Sequence, residues 1–407
     1  MQNIALARFQ QLSAPLCAKA VEDTAFYRYG RLLSRNDVGF DPRVFALSTA
    51  DFHDRMRARA AACPRAMLAT ATHDHKRGED VRARLAALSE IPREWAVAVE
   101  RWIAASAPHC ANDAGNLMPA AGDLAILFQS LVGAWPLDLE VSDRSGLRVF
   151  AERIAAWQRK ALREAKLQTD WSAPNETYES AAADYLAWLF SADSALLVEI
   201  AGFAQRIAAA GAAKALAQLV VKLTAPGVPD IYQGCEYWDF SLVDPDNRSV
   251  VDFGARQRSL QAASPLDKLL TNWKTGHLKQ FVIARLLAAR KKMPRLFSAG
   301  RYLALPTAGP QADHIVAFAR VLDDSAIVAA FSRRNAQALQ DGPTALPFLQ
   351  CSDTRVSMPD EVQGTFSNLF IPERTVQIGP TIEASALLGR RPIAILVKGS
   401  IVAAAQR

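Results

Sequence analysis

Apolar residues recur every three or four positions through most of residues 81–223, which is the spacing of amphipathic helices. Prolines at positions 108, 119, 136 and 174 separate the helical segments. Residues 194–223 are apolar on most faces, so we expect a buried helix there. Four other segments carry the helical repeat: EWAVAVERWIAA, DLAILFQSLVGAW, LRVFAERIAAWQRKALREAK and YESAAADYLAWLF.

Two shorter apolar runs, residues 66–71 and 228–232, predict buried strands. The first run ends at a dense polar cluster, and the second lies between a turn at Pro226 and a break at Gly234. Further helices are predicted over residues 20–33 and 278–292.

Beyond Pro294 the pattern becomes that of β-structure. Short β-prone runs bounded by turns predict a separate β domain from about residue 295 to the end. These runs are GRYLALP, HIVAFARVL, SAIVAAFSRR and PIAILVKG.

Length and composition indicate a globular protein of two or three domains. The chain has 407 residues, more than one hydrophobic core usually serves, with 50% apolar and 22% charged residues. The net charge of +6 comes from 47 basic and 41 acidic residues spread along the chain, and no nucleic-acid-binding motif accompanies the short basic clusters. We therefore predict no nucleic-acid partner. No stretch of about 18 uninterrupted apolar residues occurs, so we also predict no membrane span.

The five cysteines are scattered, odd in number and without paired spacing. This pattern fits reduced thiols in a cytoplasmic protein and gives no disulfide framework or zinc site. Arg8 interrupts what would be the apolar part of a signal peptide, so the amino terminus lacks a secretory pattern.

The polar cluster after residues 66–71 is the first candidate site, because chemistry in parallel α/β folds gathers at the carboxyl ends of strands. His73 and Asp74 can together bind adjacent hydroxyls of a sugar, and the alternative is an Asx turn beside a satisfied histidine. Only six histidines occur and no HExxH motif is present, so we predict no metal site. The cluster comprises His73, Asp74, His75, Lys76, Arg77, Glu79 and Asp80.

For two other segments, the sequence does not decide between a sugar-binding site and a purely structural role. Glu22 and Asp23 stand at helical spacing from basic residues, which predicts surface ion pairs, but nearby aromatic rings including Tyr27 suit sugar stacking. Residues 229–253 combine carboxylates, amides and aromatic rings, and the alternative is a turn network in which Asp and Asn bond their own backbone. No GxSxG, P-loop or dinucleotide motif is present, so acyl, phosphoryl and hydride transfer lack support.

Together these segments resemble the maltooligosyltrehalose synthases of the α-amylase superfamily. The matching motifs occur in the family's order and cover about 300 residues, and the match is weaker beyond Ala336. They are FQQL, AKAVEDTAFYRY, THDHKRGEDVRARL, LVGAWP, KALREAK, KLTAPGVPDIYQGCEYWDFSLVDPDNRSVVDF and GHLKQFVIARLLAAR.

The resemblance implies an α/β plus β fold: the carboxyl-terminal part of a (β/α)8 TIM barrel, with its last two strands and a large helical insertion, followed by a β-sandwich. Residues 1–84 would contain the seventh strand and residues 85–222 the insertion. Residues 223–294 would hold the eighth strand and a substrate loop, and residues 295–407 the sandwich. The implied activity is that of a (1→4)-α-D-glucan 1-α-D-glucosylmutase, an isomerase of trehalose biosynthesis that needs no cofactor and acts on maltooligosaccharides.

By this resemblance Asp74 is the catalytic carboxylate that binds ring hydroxyls and stabilises an oxocarbenium-like transition state. His75 and Cys235 stand where the family usually has threonine. The residues implied in substrate binding are His73, Lys76, Arg77, Glu22, Asp23, Tyr27, Tyr232, Gln233, Glu236, Trp238, Asp244 and Asp246.

The family's nucleophile and general acid lie on earlier barrel strands that have no counterpart in this sequence. We therefore expect the carboxyl-terminal portion of a longer enzyme, inactive alone: either a split gene product that docks a separate amino-terminal half, or the relic of a truncated gene. The alternatives are a non-catalytic glucan-binding remnant and an α-glucan hydrolase.

Overall fold

A computed structural model describes residues 2–41, 43–113, 115–192, 194–338, 345–347, 351 and 353–399. A π-helix, Ala18–Ala25, follows the first α-helix. The α-helices are α1 (Gln2–Cys17), α2 (Phe26–Arg28), α3 (Thr49–Ala62), α4 (Glu79–Ala86), α5 (Pro92–Ser106), α6 (Ala121–Ala134), α7 (Arg144–Ala165), α8 (Glu176–Leu189), α9 (Ala195–Thr224), α10 (Phe253–Gln261), α11 (Leu266–Thr271), α12 (His277–Lys292), α13 (Pro294–Ala299) and α14 (Ala384–Leu388).

Most strands lie in the last hundred residues of the described chain. The strands are β1 (Met67–Leu68), β2 (Ala111–Asp113), β3 (Asn116–Met118), β4 (Val228–Pro229), β5 (Arg301–Ala304), β6 (Thr307–Ala308), β7 (Ile315–Leu322), β8 (Ser325–Ser332), β9 (Arg355–Ser357), β10 (Gly364–Asn368), β11 (Thr375–Ile378), β12 (Thr381–Glu383) and β13 (Ile393–Lys398).

The predicted central helices are confirmed as α5 to α9, and the later one as α12. Side-chain caps fix two of the starts: Asp143 accepts from the Gly146 N–H before α7, and Asn175 accepts from the Tyr178 N–H before α8. Two predictions need correction. A β2–β3 hairpin interrupts the stretch predicted as helical, and residues 20–33 form a π-helix and a short α2 where one helix was expected.

Helix α9 is long and apolar enough to cross a membrane by length and mean hydropathy. In the folded chain, 83% of its most apolar 18-residue window is buried. This burial is what the sequence predicts for a core helix.

The chain forms two compact units, each assembled from separated stretches. The four contiguous segments predicted at 1–84, 85–222, 223–294 and 295–407 do not coincide with these units, because the chain leaves and re-enters each of them. Unit 1 comprises Met1–Arg43, Asp74–Gln205 and Phe240–Ser249, and unit 2 comprises Val44–His73, Arg206–Asp239 and Val250–Arg407.

Unit 1 is built on packed helices. Trp102 meets Phe128 and Phe203 edge-on, with ring centres 5.5 and 5.6 Å apart. Gly133 lets α6 approach α4, since a Cβ at this position would lie 2.9 Å from a Val81 methyl group. The Arg84 guanidinium donates to three carbonyls at the end of α6, which have no partner within that helix.

The sheets of unit 2 share one buried cluster. A six-stranded antiparallel sheet has the order β11-β10-β13-β8-β7-β5, and a three-stranded sheet has the order β12-β9-β6. Val328 and Phe366 of the first sheet and Val356 and Ile382 of the second belong to the same core. The four predicted β runs correspond to β5, β7, β8 and β13, whereas β6, β9, β10, β11 and β12 were not predicted.

Strands β1 and β4 of unit 2 form a separate parallel pair, with Met67 opposite Val228. Each has two residues, so both are shorter than the predicted runs 66–71 and 228–232. Gly227 permits the approach, because its φ is 142° and a Cβ there would lie 2.9 Å from the Ala66 carbonyl oxygen. Met67 and Val228 are exposed by 70% and 51%.

Candidate functional site

The polar cluster after β1 divides sharply by exposure. His73 and Asp74 are exposed, whereas residues 75–80 are buried, and α4 begins at Glu79. Half of the Asp74 side chain, 52%, is exposed. This segment therefore presents one carboxylate and hides its other charges.

In unit 1, Lys76 links Asp74 to Asp23. Its side chain is 2% exposed, and its Nζ lies 2.6 Å from Asp23 Oδ1 and 3.4 Å from Asp74 Oδ1. Burial opposes the charged form of Lys76, but the hydrogen bond and charge of Asp23 outweigh it and raise the lysine pKa. Lys76 is therefore a fixed cation behind an exposed carboxylate.

Asp23 is held from two sides. Lys19 also donates to its carboxylate, and Asp23 is 19% exposed. Desolvation raises the pKa of Asp23, but the hydrogen bonds from Lys19 and Lys76 lower it further than burial raises it. The carboxylate thus remains ionised while partly buried.

Asp37, which the sequence analysis missed, fixes the backbone of the same loop. Its carboxylate accepts from the backbone N–H groups of Lys76 and Arg77 at 3.3 and 3.0 Å. It also lies 3.4 Å from Arg82 Nε. Asp37 stands 40 residues before Arg77, and no local pattern marks it as a partner.

Arg77 and Tyr27 lie in the interior of unit 1. The Arg77 guanidinium is fully buried and donates to the Asn36 carbonyl at 3.2 Å. Burial lowers the pKa of Arg77 and raises that of Tyr27. Glu22 accepts from the Gly39 N–H at 3.1 Å. Arg77 and Tyr27 are therefore enclosed within unit 1, whereas Glu22 is half-buried.

The segment Phe240–Ser249 packs beside residues 75–78 within unit 1. His75, which stands where the family has threonine, places Nε2 3.1 Å from Ser241 Oγ. The Gly78 N–H donates to the Ser241 carbonyl at 2.8 Å. A histidine at this position therefore joins two loops.

The carboxylates of Asp244 and Asp246 hold this segment in place. Arg153 of α7 donates to both Asp246 oxygens at 2.9 and 2.7 Å, and the Leu242 N–H donates to the same carboxylate at 2.8 Å. Asp244 lies 2.9 Å from Arg248 Nε. These contacts match the turn-network alternative for this part of residues 229–253.

The remaining predicted residues belong to unit 2. Tyr232 is half-buried and Gln233 is exposed. Glu236 pairs with Arg256 at 3.0 Å, and Trp238 donates from Nε1 to the Trp273 carbonyl at 2.7 Å. Internal contacts therefore fix Glu236 and Trp238.

Unit 2 also contains a buried lysine that the sequence analysis missed. Lys222 donates to Thr70 Oγ1 at 2.7 Å, just beyond β1. Across the described parts of the chain, no three histidine, cysteine or acidic residues lie together as a metal site would require.

Comparisons of sequence and of structure relate this chain to the same group of proteins. No protein-family model matches the sequence. A maltooligosyl trehalose synthase of Mycobacterium tuberculosis is 41% identical over 347 residues, which is 84% of this chain and 40% of that protein.

Solved structures agree in fold. The maltooligosyltrehalose synthase of Arthrobacter ramosus matches 97% of this chain with a TM-score of 0.79 and 32% identity. The hypothetical maltooligosyl trehalose synthase of Sulfolobus tokodaii matches 97% with a TM-score of 0.72 and 29% identity. This chain spans 47% of each solved chain. Over most of its own length, the chain is therefore a homologue of one part of the maltooligosyltrehalose synthases.

Proposed function

We propose that this chain supplies part of the active centre of a maltooligosyltrehalose synthase. The reaction converts the reducing-end α-1,4 bond of a maltooligosaccharide into an α,α-1,1 bond. The observation that carries the proposal is the exposed Asp74 carboxylate, held over the buried Lys76 cation. We place the enzyme in the cytoplasm.

Asp74 accepts hydrogen bonds from ring hydroxyls of the glucosyl unit, and these bonds strengthen as positive charge develops on the ring. Lys76 and Asp37 hold the loop so that the carboxylate needs no reorganisation during the reaction. His73 serves the same ring. The parallel pair β1 and β4 is the end of a (β/α)8 barrel, and the two sheets of unit 2 form a β-sandwich.

The nucleophile and general acid come from the part of the synthase that this chain does not match. The nucleophile forms a glycosyl–enzyme bond as the α-1,4 bond breaks, and the general acid protonates the 4-oxygen of the departing glucose. The released glucose turns in a closed site, and its anomeric hydroxyl attacks the anomeric carbon of the glycosyl unit. This breaks the glycosyl–enzyme bond, and the hydroxyl proton returns to the deprotonated general acid. Water has to be excluded, because hydrolysis would otherwise compete.

The test combines purified chain with a fragment of the Arthrobacter ramosus synthase that covers the part not matched here, and with maltopentaose. Trehalosyl product should form only when both are present, and each alone is the control. A soluble, well-folded pair that gives no such product would exclude the proposed function.

A glucan-binding remnant is the second candidate, because internal partners hold Asp244, Asp246 and Glu236. Glucan binding without product favours it. Release of glucose without trehalosyl product favours a hydrolase.

A further inference from the structure

Trp171 of unit 1 is exposed in a chain whose other tryptophans are not. It lies in the loop between α7 and α8, and 53% of it is accessible. All eight tryptophans lie in described parts of the chain, and the other seven are buried or half-buried. Tryptophan used only for packing is highly buried on average, so this ring needs another explanation.

One face of the Trp171 ring rests on a fixed cation. The guanidinium carbon of Arg163 lies 4.9 Å from the ring centre. Arg163 donates to both carboxylate oxygens of Glu179 at 2.8 and 2.7 Å, and Glu179 also accepts from Thr169 at 2.7 Å. The guanidinium is thereby held in one orientation under the indole.

The loop that carries the ring is ordered by its own hydrogen bonds. Asp170 Oδ1 accepts from the N–H groups of Ser172 and Ala173 at 2.7 and 2.8 Å. Thr169 Oγ1 accepts from the Asn175 N–H at 2.9 Å, and Asn175 caps α8. A ligand that stacks on Trp171 therefore does not have to order the loop, which lowers the entropic cost of binding.

We propose that Trp171 is a sugar-binding platform, on which a glucosyl unit of an α-1,4-glucan places the apolar face of its ring. The choice of α-1,4-glucan rests on the proposed function, whereas the platform itself rests on the ring, its backing and its exposure. It binds glucosyl units other than the two that react, so it favours long substrates over short ones.

Electrophoresis of the whole chain in gels containing soluble starch tests the platform. Starch should retard the unmodified chain, and Trp171→Ala should weaken binding about tenfold, the effect of losing one good aromatic contact. Trp171→Phe should keep most of the retardation. Val149→Ala is the control, because Val149 is 51% exposed on α7 and should behave as the unmodified chain.

Unchanged migration of Trp171→Ala would overturn the platform, as would equal retardation by hydroxyethylcellulose. Thermal unfolding should show a Tm for Trp171→Ala within about 2 °C of the unmodified chain, which excludes misfolding. One outcome is that starch retards the chain but no trehalosyl product forms in the two-fragment assay. That result would support the platform and count against the proposed function. Product formation with a starch-insensitive chain counts against the platform alone.

Discussion

The two loops of unit 1, residues 74–78 and 240–248, both carry acidic and basic residues but arrange them in opposite ways. In the first, Lys76 is buried and the carboxylate beside it, Asp74, is 52% exposed. In the second, Asp246 is 19% exposed and accepts from Arg153 and from the Leu242 N–H. The first loop keeps a carboxylate exposed, whereas the second uses one to fix its own backbone.

Asp74→Asn, in the first loop, should have the largest effect on turnover. In the two-fragment enzyme we expect turnover to fall roughly 10²- to 10³-fold, because a carboxylate that stabilises developing charge is lost. The free energy of unfolding should change by less than about 1 kcal/mol, since the Asp74–Lys76 pair is half-exposed. The rate of trehalosyl formation measures turnover, and urea unfolding measures the free energy of unfolding. Near-normal turnover would remove Asp74 from the mechanism.

Lys76→Met should have the largest effect on stability. It leaves the partly buried Asp23 carboxylate without its buried cation, which should cost about 3 kcal/mol. Lys19→Met is the matched control, because Lys19 binds the same carboxylate but is 72% exposed, and it should cost at most about 1 kcal/mol. Equal costs in urea unfolding would mean that burial of Lys76 is unimportant.

Arg153→Met tests the second loop. Loss of its charged hydrogen bonds to Asp246 should cost about 2 kcal/mol and speed hydrogen exchange in residues 240–248. Arg148→Met on the same helix is the comparison, since the pair of Arg148 with Glu152 is exposed and should contribute about 0.5 kcal/mol or less. If exchange in the loop stays slow, Asp246 is not what holds it.

The smallest expected effect is a change in how stability depends on pH. Folding lowers the pKa of Asp23 below its unfolded value of about 3.9, so its stabilising contribution is present above that pH and is lost as pH falls through the folded value. The raised pKa of Lys76 acts at the other end: its contribution is complete below about pH 10.4 and is lost above that. Asp23→Asn should therefore lose less stability than the unmodified chain between pH 5 and 2 in urea unfolding, and parallel curves would contradict this.

Sequence patterns predicted the elements whose periodicity is strong and missed partners that are distant in the chain. The helical repeat located α5 to α9, and the apolar runs located β7, β8 and β13. Strands such as β9 and β12 have three residues each and too few apolar positions to show a period.

In the candidate site, too, local sequence marked some residues and missed their distant partners. An apolar run ending in His73-Asp74 predicted a candidate site beyond a strand, and both residues are exposed in the structure. Nothing local could show that Asp37 would bind the loop, or that Arg153 would bind a carboxylate 93 residues later. Such contacts depend on tertiary packing, so composition left residues 229–253 undecided.

The β1–β4 pair also has a consequence for the timing of synthesis. Met67 pairs with Val228, about 160 residues later in the chain. At translation rates of roughly 5–20 residues per second, on the order of 10 s pass between the two strands leaving the ribosome. The helices α4 to α9 are made in that interval, before β4, the strand that pairs with β1 in the described part of the chain. The nascent protein therefore carries an open strand edge while about 160 of its 407 residues are made, and that is when chaperone binding would matter most.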